Sequence, residues 1–132
     1  MPRKTRQKDS ARQLAVAAAR IAKTDNCRDI VVLDLRGVSP ITDYFVIATG
    51  TSDRQMRSVA DDLATYGRKI GQKLWKMAGQ DTAEWIVMDF VDVVVHLFDE
   101  DHRRYYDLEL MWGEAPKVRW QARAPKPPAS SQ

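Results

Sequence analysis

The chain predicts an α/β domain, a mixed β-sheet flanked by helices on both faces, and three observations point there. Apolar residues recur at helical spacing in two long stretches, from Leu14 to Ile21 and from Met56 to Ile70. Between and after them stand short β-branched runs of strand length, IVVLDL and YFVIAT among them, which are apolar on both sides of the alternation. At 132 residues the chain suits one core and is too short for two.

The elements follow in order. Ser10-Ala11-Arg12-Gln13 matches a capping box, so the first helix is expected from Ser10, with Leu14, Ala17, Ala18 and Ile21 on one face, ending at Asp25-Asn26. Ile30 to Leu35 and Tyr44 to Thr49 read as strands, separated by the turn formers Gly37 and Pro40. Ser52-Asp53-Arg54-Gln55 is a second capping box, opening a helix that turns Asp61 and Asp62 outward. A short strand over Lys73 to Met77 follows, and Trp85 to Met88 with Val93 to Phe98 reads as a hairpin around Asp89 to Asp92. A last helix spans Asp101 to Trp112. The basic segments 1–9 and 115–132 are expected as disordered tails around a domain over 10–114, and the sequence leaves open whether Trp120 packs back or awaits a partner.

Charge and composition narrow the function classes. The net charge of +3 is uneven: residues 1–9 and 114–132 each hold four bases against one acid, which leaves the body mildly acidic. That argues against a broad nucleic-acid face on the fold and allows salt-sensitive phosphate contacts through the ends. No apolar stretch approaches the roughly 20 residues of a membrane span. The single cysteine, Cys27, and the absence of a signal-like N-terminus point to the cytoplasm.

The chemistry-bearing residues do not assemble into a reactive set. Gly50-Thr51-Ser52 offers one glycine and no lysine, so it reads as a turn and not a phosphate cradle. Asp61 and Asp62 are adjacent on a helix, about 100° apart, the wrong geometry for shared metals. Asp99-Glu100-Asp101 reads as a helix cap, and His96, alternating with Val94 and Phe98, as a structural histidine. Cys27, His96 and His102 lack the partners of a nucleophile or a zinc site, so no catalytic residue, metal or cofactor is expected. What is left over is aromatic: Trp85, Phe90, Tyr105, Tyr106 and Trp112 gather in the C-terminal half, as core or as interface anchors.

Four ordered blocks carry a resemblance: Asp43-Tyr44-Phe45-Val46-Ile47-Ala48-Thr49-Gly50-Thr51-Ser52 with Gln55, Ala83 to Asp89, Val94 to Phe98, and Arg104 to Trp112. Together they resemble the ribosomal silencing factor family, also called Iojap-like proteins, over about residues 10 to 115. The resemblance implies a nucleotidyltransferase-like fold without catalysis or small-molecule substrate, commonly a homodimer. It implies docking on large-subunit ribosomal protein fourteen, which keeps the small subunit from joining and lowers translation when nutrients are short. By the same resemblance the ribosomal contact falls on Trp85, with Ile86, Met88, Asp89 and Phe90 beside it. Asp43, Tyr44, Gly50, Ser52, Gln55, His96, Arg104, Tyr105 and Tyr106 match family positions serving fold, dimer or partner. Ribosomal RNA contact through the basic tails is a further expectation. Two positions depart: Ala78 stands where the family usually has Glu, and Val91 where it usually has Gly. Because a β-branched residue resists positive φ, the turn at Phe90-Val91 is expected to differ from a glycine turn.

Overall fold

The computed structural model describes residues 2–121, with side chains left undescribed for residues 2–9 and 109. Helix α1 covers Pro2–Thr24, strands β1 and β2 cover Arg28–Asp34 and Tyr44–Thr49, and helix α2 covers Asp53–Lys69. Strands β3, β4 and β5 follow at Lys76–Ala78, Trp85–Asp89 and Val93–Phe98, then short helices α3 at Glu100–Tyr106 and α4 at Leu108–Met111. The five strands form one mixed sheet in the order β1-β2-β5-β4-β3. β2 and β5 run parallel at its centre, and the other three pairings are antiparallel.

Strand alternation divides the apolar residues between two faces. Val32, Tyr44, Val46, Ala48, Ile86, Met88, Val95 and Leu97 point to one side, where they meet the alanine-rich face of α1 and Met56, Val59 and Leu63 of α2. Alanines at positions 11, 15, 18, 19 and 22 let α1 lie close to the sheet. The other side holds Leu33, Leu35, Ile47 and Phe98, with Val31, Phe45, Trp85, Leu108 and Trp112 half-buried around them.

Ser52 caps α2 as expected: its side chain accepts from the Gln55 amide at 3.1 Å. The return bond differs from a capping box, because Gln55 Oε1 accepts from the Thr51 amide at 2.8 Å, one residue earlier. Gln55 Nε2 also donates to the Asp25 carbonyl at 2.8 Å, so this residue ties the start of α2 to the exit of α1.

Four expectations need correction. Helix α1 begins at Pro2, so Ser10 lies inside it; the Ser10 carbonyl accepts from Gln72 Nε2 at 2.8 Å. The segment after Gly113 belongs to the body: the Asp34 amide donates to the Pro116 carbonyl and the Val118 amide to the Val32 carbonyl, each at 2.8 Å. Ala115, Val118 and Trp120 are buried by this strap along β1, so the domain does not end at 114, while the tail reading for 122–132 lies outside the described residues. The expected final helix breaks at Asp107, whose φ of 46° is left-handed and re-aims the chain between α3 and α4. Finally, Val91 keeps a glycine-like φ of 79°, held there by its amide donating to Asp89 Oδ1 at 2.7 Å. Local hydrogen bonding overrides the steric preference of the β-branched side chain.

Candidate functional site

An aromatic surface lies on the sheet face that α1 and α2 do not cover. Its ring contacts form a chain: Trp112 meets Phe45 at 5.9 Å, Phe45 meets His96 at 4.5 Å, and His96 meets Trp85 at 5.9 Å. Trp85 in turn stacks on Phe98 at 4.9 Å and leans on Tyr106 at 4.5 Å. The register produces this grouping, since Trp85 pairs with Phe98 and Val87 with His96 across β4 and β5.

His96 is the polar pivot of the cluster. Trp85 Nε1–H donates to its Nδ1 at 3.1 Å, which assigns the ring proton to Nε2, and that atom is buried with no hydrogen-bond partner among the described residues. Burial holds the His96 pKa down at about 4, so the imidazole is neutral at physiological pH. The histidine is a fixed acceptor that sets the Trp85 ring.

Around this pivot the surface opens to solvent. Tyr105, Leu110 and Met111 are 81%, 78% and 74% exposed and Tyr106 is 44% exposed, all on α3 and α4. Asp99 positions α3: its carboxylate accepts from the His102 amide at 2.8 Å, and its own amide donates to the Glu84 carbonyl at 3.0 Å. This is the cap expected of the Asp99-Glu100-Asp101 run. His102 Nδ1 also lies 2.8 Å from Asp99 Oδ1, and that hydrogen bond raises the His102 pKa, with Asp99, Glu84 and Asp101 adding their charge. Arg103 anchors the inner side of α3 on Thr49 Oγ1 at 2.8 Å and on the Asp29 carbonyl.

The remaining site residues sort by face. Ile86, Met88 and Phe90 are buried on the helix side, where Phe90 fills the space a side chain on Gly67 would need. Alternation along β4 sends Ile86 and Met88 the opposite way from Trp85, and Phe90 joins them in the core. Asp89 is half-buried and its carboxylate closes the Val91 turn. Gly50 is required by packing: a Cβ there would stand 2.1 Å from Met56 Cγ. Its amide donates to the Phe98 carbonyl at 2.7 Å, so this turn presents no converging set of free amides to an anion. Tyr44 is fully buried beneath the Arg36 guanidinium, and the Asp43 amide bonds the Asp92 carbonyl at 2.9 Å, so both serve the fold. Arg104 is exposed, 3.8 Å from Glu100. Among the described residues no group of three or more His, Cys, Asp or Glu is placed to hold a metal. Burial pushes the Cys27 thiol up to about 11, far from a reactive thiolate.

Leu110 and Met111 were not singled out by sequence reasoning. The available signal was that Leu108, Leu110, Met111 and Trp112 are more apolar residues than one helical turn can turn inward.

The class these features define is an α/β scaffold presenting an apolar, aromatic surface. The chain belongs to the family described as ribosomal silencing factor during starvation, whose sequence pattern matches residues 8–132. It is 42% identical over 103 residues to the ribosomal silencing factor of Bacillus subtilis, covering 78% of this chain and 86% of that one. It is also 36% identical over 107 residues to the chloroplastic Iojap protein of Zea mays, covering 79% of this chain and 45% of that longer protein. A crystal structure from Chromobacterium violaceum superposes with a TM-score of 0.72 at 29% identity, covering 90% of this chain and 96% of the other. One from Bacillus halodurans gives 0.69 at 33% identity, covering 84% and 98%. Among the described residues no helix is long and apolar enough to cross a membrane.

Proposed function

We propose that this protein represses translation as an obstacle, docking through its aromatic face on large-subunit ribosomal protein fourteen and occupying space the small subunit needs. The observation that carries the reading is the apolar rim of Tyr105, Tyr106, Leu110 and Met111 around a Trp85 fixed by His96. Exposed aromatic and aliphatic side chains on a rigid backing are what interface anchors require, since little ordering entropy is lost on docking. The partner comes from family resemblance, and the chemistry of the face suits it: the rim is apolar.

No catalytic step is part of this function. Repression is mass action: bound factor and joined ribosome exclude one another, so the effect follows free factor concentration relative to its dissociation constant. The protein acts in the cytoplasm, as a homodimer when free, under nutrient limitation. The basic segments at both ends add salt-sensitive attraction to ribosomal RNA. The test is a subunit-joining assay on sucrose gradients. Wild type in excess keeps the subunits apart, and Tyr106→Ala, which removes the half-exposed ring leaning on Trp85, does so poorly. Subunits that join freely in the presence of excess wild type end the reading.

A further inference from the structure

A second surface lies at the sheet edge formed by β3. Arg68 and Lys69 end α2, and the loop that follows carries Lys73, Trp75 and Lys76 to the start of β3. All five are exposed, Trp75 at 69%, and no Asp or Glu occurs between residues 63 and 80. The Gln72 amide donates to the Gly67 carbonyl at 2.7 Å, folding the loop back against the helix end, and the Trp75 amide donates to the Asp89 carbonyl at 2.8 Å. These bonds fix the backbone on both sides of Lys73. None of the four cations forms an ion pair with a described acid. The nearest acid in register is Asp89, opposite Lys76, and its carboxylate is engaged by the Val91 amide. Gln72 also joins this loop to α1 at Ser10, the residue preceded by Arg3, Lys4, Arg6 and Lys8.

Ordinary structural causes cover only part of this. The helix dipole accounts for Arg68 and Lys69 in the last turn of α2. A lysine on an edge strand blocks unwanted strand pairing, which accounts for Lys76. Neither accounts for a tryptophan held out in solvent beside that strand, where most of its surface meets water. An apolar protein partner would want an apolar rim, and the rim of Trp75 is cationic. A flat π surface set among unpaired cations on a fixed backbone suits a nucleic acid strand, with a base on the ring and phosphates on the lysines.

The geometry points to the loop over residues 68–76 as a single-stranded RNA contact, with Trp75 as the stacking platform and Lys73 and Lys76 on the flanking phosphates. This surface is separate from the aromatic docking face, and binding to free RNA does not depend on that face. The test titrates a labelled single-stranded oligoribonucleotide of about 12 nucleotides with full-length protein across a series of salt concentrations. Trp75→Ala weakens binding by roughly 5- to 160-fold, as loss of one stacked base does, and Trp75→Phe restores most of it. The Lys73→Ala, Lys76→Ala double variant flattens the salt slope by about 1.4, two single-strand phosphate contacts. Tyr105→Ala, on the docking face, binds RNA as wild type does. Wild-type affinity in Trp75→Ala overturns the assignment and leaves RNA contact to the end segments alone. Equal affinity for polyglutamate, with the same dependence on Trp75, also overturns it and makes the partner an acidic protein.

Discussion

The two faces of the sheet are built from the same strands and do different work. Toward α1 and α2 the residues of β2, β4 and β5 are fully buried and, apart from Tyr44, aliphatic, with alanines permitting close helix approach. Toward α3 and α4 they include the rings of Phe45, Trp85, His96 and Phe98, of which Phe45 and Trp85 are half-buried, a hydrogen bond fixes Trp85 on His96, and the short helices leave large apolar side chains in solvent. The first face is closed by its own chain. The second is finished only in part, and the proposed function assigns stability to the first side and recognition to the second.

The comparison is broken most decisively by truncation on the closed face. Leu63→Ala or Ile86→Ala removes a fully buried side chain and costs about 2–5 kcal/mol in chemical denaturation. Tyr105→Ala and Leu110→Ala, on the open face, change stability by no more than about 0.5 kcal/mol in the same measurement. Equal losses on both faces would show that the open face is core as well.

A second test concerns the strap over residues 115–120. Trp120 Nε1 donates to the Ile30 carbonyl at 3.2 Å, and Arg20 Nε donates to the Trp120 carbonyl at 2.7 Å, so the strap locks α1 to β1. Trp120→Ala costs about 3 kcal/mol and raises hydrogen exchange in β1 before it affects β4. Uniform exchange across the sheet would contradict a local strap.

The pivot of the open face responds to acid. His96 has a folded pKa of about 4, below its unfolded value near 6.5, so the unfolded state binds the proton more tightly. Its contribution is complete above pH 6.5 and is lost as pH falls toward 4, to a total on the order of 3 kcal/mol. Asp25 works against it, since burial and Asp62 raise its carboxyl to about 6 and acid protonates it favourably in the folded state. His96→Gln therefore flattens the acid limb of the stability profile. Its persistence in that variant would remove His96 as the cause.

The smallest effect is at the turn. Val91 is exposed, so Val91→Gly relieves its positive φ without loss of core and stabilises by about 1 kcal/mol, read from the unfolding midpoint.

Much of this was legible where local chemistry and tertiary structure agree. Tyr44–Thr49 and Val93–Phe98 have the bounds their β-branched runs suggest, and Ser52 caps α2 because its hydroxyl acts on an amide three residues away. The closed face was legible for the same reason: periodic apolar residues must meet something. The strap was not, because residues 116–118 join β1 through backbone hydrogen bonds that leave no mark in side-chain pattern. The break at Asp107 escaped because a single left-handed residue interrupts an otherwise continuous helical sequence. Of the residues expected at a contact, Tyr105 and Tyr106 are exposed and Trp85 is half-buried, whereas Ile86, Met88 and Phe90 share the segment of Trp85 and face the core. Proximity in sequence cannot separate neighbours that alternate across a strand.

The separation of stability from recognition is tested most directly by the Tyr105→Ala, Leu110→Ala double variant, measured for unfolding midpoint and for binding to purified large ribosomal subunits. The account predicts a midpoint like that of wild type and binding weaker by about tenfold or more. Wild-type affinity in a folded double variant would contradict it.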